Sequence, residues 1–168
     1  MKRYIACALC IIFLSCDDGN LEIETLDFDS ITAVQNCGGV SVTTSNILFK
    51  INGDEALILE LPAESIKNEV TTEDIAINVN ESGSVIYRIF SGTVSSNYFC
   101  ADVPPIEPVV TKEITAQDGI IYITTTTQDA VTYQHTIRLS GISLVTENES
   151  RITDLRINEF GTVTTTTP

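Results

Sequence analysis

The chain has 168 residues, 23 acidic against 9 basic, for a formal net charge of −14, and it contains no tryptophan. That charge repels phosphate, which argues against nucleic acid and anionic lipid as electrostatic partners and leaves cations or a basic protein. The length is enough for one domain with a real core and little more.

Taken from its start, the chain opens with a basic Met1-Lys2-Arg3, followed by an uncharged apolar run from Tyr4 to Leu14. A transmembrane helix needs roughly 20 apolar residues, so this shorter run reads as the hydrophobic region of a signal peptide. It ends at Leu14-Ser15-Cys16, with Asp17-Asp18-Gly19-Asn20 behind it. Leu, a small residue and Cys in that order resemble the cleavage box of bacterial lipoproteins. The resemblance implies a diacylglycerol on the Cys16 thiol, cleavage before Cys16 and acylation of the new amine. A single acyl chain, at about 0.8 kcal/mol per buried methylene, attaches only reversibly, whereas two or three hold a protein on a bilayer. The competing reading is a plain secreted protein with Cys16 as a half-cystine.

The acidic stretch after Cys16 is similar to the export signals of Bacteroidetes lipoproteins, which implies the outer leaflet of the outer membrane; a periplasm-facing location is the alternative. Together with Leu26-Asp27-Phe28-Asp29, Tyr98-Phe99-Cys100 and Pro104-Pro105, the start resembles small flavobacterial lipoproteins with no assigned activity. The expected organisation is a signal peptide over 1–15, a flexible tether over 16–20 and a β-sandwich domain over 21–168. Loss of Lys2 and Arg3 leaves 7 basic residues against 23 acidic ones, a net −16. Of the five cysteines, Cys7 and Cys10 leave with the signal and Cys16 takes lipid. Cys37 and Cys100 remain, and an oxidising compartment favours their pairing over free or reactive thiols.

Downstream, Thr, Ile and Val dominate without a sustained 3.6-residue period, which favours strands. A first strand is expected within 21–31, with Leu26 and Phe28 on its buried face. Ile47, Phe49 and Ile51 lead to Asn52-Gly53, a tight-turn signal, and Leu57, Leu59 and Leu61 return to Pro62. Residues 62–74 read either as a helical turn or as a connection across the sandwich end. Ile75, Ile77 and Val79 form a strand, Asn80 to Gly83 a turn, and 85–90 a strand apolar on both faces and therefore central. A polar loop is expected over 91–97. Pro104, Pro105 and Pro108 mark a crossing between sheets. Asp118-Gly119 reads as a turn before a strand at 120–127. Val131, Tyr133, His135, Ile137 and Leu139 share a face, and the apolar phase flips after Gly141, which predicts a β-bulge at Ser140-Gly141. A turn at 147–150 leads into a last strand at 151–160, which 161–168 extends or leaves frayed.

Short strands about every ten residues indicate an all-β fold, a single antiparallel two-sheet sandwich of Ig-like or related Greek-key type, with a small β-barrel as the alternative.

No nucleophile–base constellation is legible, so no enzyme activity, catalytic residue, metal or cofactor is expected. The single His135, on an apolar phase, reads as a packed histidine rather than a base. Asp27, Asp29 and the Asp17-Asp18 pair offer oxygens but lack the spacing of a calcium loop, and Asn52-Gly53-Asp54-Glu55 is a turn first. Sugar platforms need exposed flat aromatics; Tyr87, Tyr98, Tyr122 and Tyr133 lie mostly on core phases. Asp29-Ser30-Ile31 resembles a short Bacteroidetes O-glycosylation motif, and Asn148-Glu149-Ser150 reads only as a turn. The runs Thr124–Thr127 and Thr164–Thr167 invite an ice-binding guess, but contiguous threonines are explained by β propensity. The functional expectation is a lipid-anchored, non-enzymatic cell-envelope module whose partner is a protein or glycan. The alternative is a carrier holding a small apolar ligand inside a barrel.

Overall fold

A computed structural model describes residues 25–167; the expected signal peptide, the expected lipid site at Cys16, the Asp17-Asp18 pair and the expected tether lie outside them. Ten strands and one short helix follow in chain order: β1 (Thr25–Asp27), β2 (Gln35–Asn36), β3 (Asn46–Asn52), β4 (Glu55–Leu61), β5 (Ile75–Asn78), β6 (Ser84–Phe90), α1 (Ser96–Cys100), β7 (Val110–Thr127), β8 (Thr132–Leu144), β9 (Asp154–Arg156) and β10 (Glu159–Thr166). The fold is all-β, as the alternation predicts. One curled antiparallel sheet runs β10-β8-β7-β6-β4-β3-β2, and β5 pairs with β7. A second sheet of two strands joins β1 to β9, in parallel. Connectivity is a meander with two excursions, β5 and β9, in place of an Ig-like Greek key.

The curl is made by β7. Its first part, Val110 to Thr115, pairs with β6, while Ala116 to Thr127 pairs with β8 and Ile120 to Ile123 also with β5. The strand therefore passes from one leaf to the other, and bulges are the usual way to turn such a corner. Register shifts fall between Ala116 and Ile120, where Gly119 has φ +135° and lies against Ile142. Opposite stands Gly141 at φ +65°, so the predicted bulge at Ser140-Gly141 is present. Asp118-Gly119, expected as a turn, is instead the other half of this bulge. Its turn-like residues serve a bend within a strand.

Between the leaves lies the main core. Leu57, Leu59, Val85 and Tyr87 face Ile121, Ile123, Ile137 and Leu139, with Leu26, Phe28 and Phe160 packed into the same cluster. Each fully buried side chain of this size contributes about 1.5–3 kcal/mol. Lys50 interrupts the apolar face of β3 at 1 % exposure. Its Nζ donates to Phe28 O and Glu159 O, both at 2.8 Å, and lies 5.6 Å from the Phe160 ring centroid. Burial pulls its pKa down, while Asp29, Glu159 and Asp27 pull it back up. Through these bonds β3 holds both the segment after β1 and the start of β10.

Several local expectations shift by a few residues. The β3–β4 hairpin forms with Asn52 opposite Glu55, so the turn residues are Gly53-Asp54. Positive φ is needed at Gly53 alone (+65°), as in a II′ turn, and not at Asn52. Residues 62–74 form turns and a connection, without a helix. The helix, Ser96–Cys100, begins only at the end of the 91–97 stretch that reads as loop, which otherwise is loop. The stretch expected as one last strand divides: β9 leaves to join β1, and β10 pairs with β8 from Glu159 to Thr166. Residues 161–166 thus extend a strand rather than fray.

A candidate binding cleft on the outer face of the first leaf

The first leaf is made by β2, β3, β4, β6 and the start of β7, and its central strands are apolar on both faces. Inward go Leu48, Leu57, Leu59, Val85 and Tyr87; outward go Ile47, Phe49, Ala56, Ile58, Ile86 and Phe90. An outward apolar row needs a cover, and α1 supplies part of one. Phe49, Ala56, Ile58, Phe90 and Val94 form a second buried cluster, with Tyr98 and Phe99 against it. Phe99 stacks on Phe49 at 4.3 Å between centroids, and Tyr98 meets Phe90 edge-on at 4.9 Å. Such aromatic pairs add about 0.5–1.5 kcal/mol each beyond their buried area.

Five residues do not make a stable helix by themselves. The Cys37–Cys100 disulfide, with a Cα–Cα distance of 5.3 Å, ties the end of α1 to the turn after β2. On the helix's other side, Val94 N donates to Gly53 O. The expected pairing of Cys37 with Cys100 therefore does more than close a long loop: it clamps an aromatic lid onto a sheet face.

The lid covers that face incompletely. Beside Phe99 a cleft of about 510 Å³ opens over Ile47, Phe49, Ile58 and Ile86, bounded by Asn36, Ser41, Thr44, Asn46, Glu60 and Arg88. This volume falls within the usual range for ligand sites. Ile47, 56 % exposed, stands at its open side. The 41–45 wall is folded around Asn46, whose Oδ1 accepts from Ser41 N and whose Nδ2 donates to Ser41 O and Thr44 O. Ser41 Oγ accepts from Thr43 N and Thr44 N, which fixes the same turn. Two polar groups on the lining are uncommitted among the described residues. Asn36 Nδ2 is buried with no partner. The Glu60 carboxylate is exposed and makes no hydrogen bond or ion pair. Arg88, by contrast, is committed to Glu113 through Nε.

The residues singled out in the sequence lie elsewhere, apart from the disulfide. His135 is fully buried between the leaves. Its Nδ1 lies 2.8 Å from Thr125 Oγ1 and its Nε2 2.7 Å from Thr165 Oγ1. Thr165 Oγ1 donates onward to Asn68 Oδ1, so it accepts from Nε2–H, and Nδ1 accepts from Thr125. This chain satisfies one neutral tautomer at both nitrogens, and burial lowers the imidazole pKa. It is the packed histidine expected. The threonine runs gain a meaning here, since Thr125 and Thr165 point inward as its two partners while their neighbours point out.

Asp27 Oδ1 accepts from Ser30 N, and Asp29 Oδ1 from Glu159 N, so both acids cap backbone at the β1 edge. No group of three potential metal ligands occurs among the described residues. Tyr87 is core and Tyr98 belongs to the lid, while Tyr122 and Tyr133 are half-buried.

No motif in the sequence marks the cleft. Its available signal was the apolar second face of the strands at 47–51 and 85–90, with two aromatics just before Cys100. Comparison with protein-family models, with curated proteins and with solved structures finds no match for this chain.

Proposed function

We propose that the protein is a lipid-anchored cell-envelope lipoprotein that acts as a non-enzymatic binding module, taking its partner at the cleft beside α1. The observation that carries this reading is the cleft's construction. Its floor is sheet, one wall is an aromatic helix held by a disulfide, and another is a turn wound on Asn46. Walls held this way lose little entropy on binding, which favours affinity. Between the leaves, Leu57, Leu59, Tyr87, Ile121 and Ile137 are fully buried and packed together, which supports an exterior site over an apolar ligand held inside a barrel. Anchoring rests on Leu14-Ser15-Cys16 and the acidic residues after it, and an oxidising envelope agrees with the disulfide.

Two measurements test the reading separately. Cys16→Ala should abolish acyl labelling and move the chain to the soluble fraction; unchanged membrane partitioning would sink the anchor. A photo-crosslinker placed at Ile47 in cells should capture a partner, and Ile47→Lys should lose it with thermal unfolding unchanged. Partner capture indifferent to Ile47→Lys would rule out the cleft.

A further inference from the structure

Resting on that reading of the cleft, we infer that its ligand is a polypeptide segment joining an apolar side chain to a basic one. Three observations lead there. The floor is aliphatic: Ile58 lies opposite Phe49 on one side and Ile86 on the other, with Ile47 one pair further along. Phe99, the aromatic at the wall, has a face stacked on Phe49, and the chain has no tryptophan. Such a floor accepts a branched aliphatic or aromatic side chain and offers a sugar ring little to stack on.

The second observation is charge. Glu60 is the direct cross-strand neighbour of Ile47, so an uncommitted carboxylate stands at the edge of the apolar floor. Arg88, the cation on the lining, is neutralised by Glu113. The cleft therefore presents net negative charge, on a chain of −14. A basic group beside the seated apolar one is the complement, and an anionic ligand is repelled.

The third is the buried Asn36 Nδ2, which lacks an acceptor. A buried donor left unmet costs about 1–3 kcal/mol, and because Asn36 lines the cleft, a ligand carbonyl that draws its amide round toward the opening gains by meeting it. A polypeptide carries a carbonyl at every residue; a simple aliphatic amine carries none. This separates a peptide from a free hydrophobic amine.

The test uses the full chain and two capped peptides, acetyl-Leu-Lys-Leu-Leu-amide and the same peptide with Gln in place of Lys, followed by fluorescence anisotropy. The Lys peptide should bind more tightly by about threefold, the size of a solvent-screened ion pair. That advantage should disappear in Glu60→Gln and at high salt, and persist in Glu147→Gln, whose acid lies outside the cleft. Asn36→Ala should weaken both peptides alike, and Ile47→Lys should abolish both. Equal affinities, or an advantage surviving Glu60→Gln, would overturn the basic-ligand inference while the cleft stands on its Ile47 dependence. Binding of neither peptide, with an oligosaccharide captured instead, would overturn the inference in favour of a glycan. Failure of the Ile47 crosslink as well would remove the cleft reading itself.

Discussion

Opening the Cys37–Cys100 bridge is the perturbation with the largest consequence for this fold. The two residues are separated by 63 positions. On the chain-entropy relation, closing a loop of that length removes about 14 cal/mol/K from the unfolded ensemble, or about 4 kcal/mol at room temperature. That is a large share of the roughly 5–15 kcal/mol that holds a typical domain together. Cys37→Ser, Cys100→Ser and the double variant should therefore each lose about 4 kcal/mol in urea unfolding. Their m-values should rise, because the uncrosslinked chain exposes more surface when unfolded. The three losses should agree within about 0.5 kcal/mol, since every variant removes the same bond. A local signature should accompany the global one. With the bridge gone, what holds α1 among the described residues is the packing of Tyr98 and Phe99 and the Val94–Gly53 bond, so amide exchange over 94–101 should rise first. A loss below about 1 kcal/mol, or a double variant equal to the sum of the singles, would refute the crosslink as the source of stability.

Other predictions follow from single contacts. His135 is held neutral, with its folded pKa below the ordinary histidine value. The unfolded chain then binds the proton more readily, so this contribution is full above about pH 6.5 and is lost as pH falls through the folded pKa. His135→Gln should flatten that limb of the Tm-versus-pH curve relative to wild type, and an unchanged slope would contradict the assignment. Gly119→Ala should destabilise by about 2 kcal/mol, because φ is +135° and the new Cβ would lie 2.6 Å from Ile142 Cδ1 and 3.0 Å from Ile142 Cα; wild-type stability would mean that the bulge relaxes freely. Asn36→Ala removes a buried donor that has no partner, so urea unfolding should show no loss, or a gain of up to about 1 kcal/mol. A clear destabilisation would show that the amide is already satisfied.

Local chemistry was legible from the residues alone. Alternation of apolar and polar residues has a period of two, so Leu57-x-Leu59-x-Leu61 and His135-x-Ile137-x-Leu139 announce strands and their buried faces wherever the strands end up. The phase flip at Gly141 located a bulge for the same reason, and Cys37 and Cys100, the two cysteines the expected signal peptide and lipid site leave over, pointed to one bridge. Tertiary structure decided the rest. Asp118-Gly119 carries identical turn chemistry in a loop and in a bulge, and only the pairing of β7 with β6 on one side of it and β8 on the other selected the bulge. Ser96–Cys100 became helix because the disulfide and the outer row of Phe49 and Phe90 hold it, against weak local preference. The cleft depends on register: Ile47 meets Glu60, and Phe49, Ile58 and Ile86 line up, through pairings between residues that are distant in sequence. Apolar alternation specifies which face a side chain takes, but not which strand lies beside it, and a site built across three strands exists only once that second choice has been made.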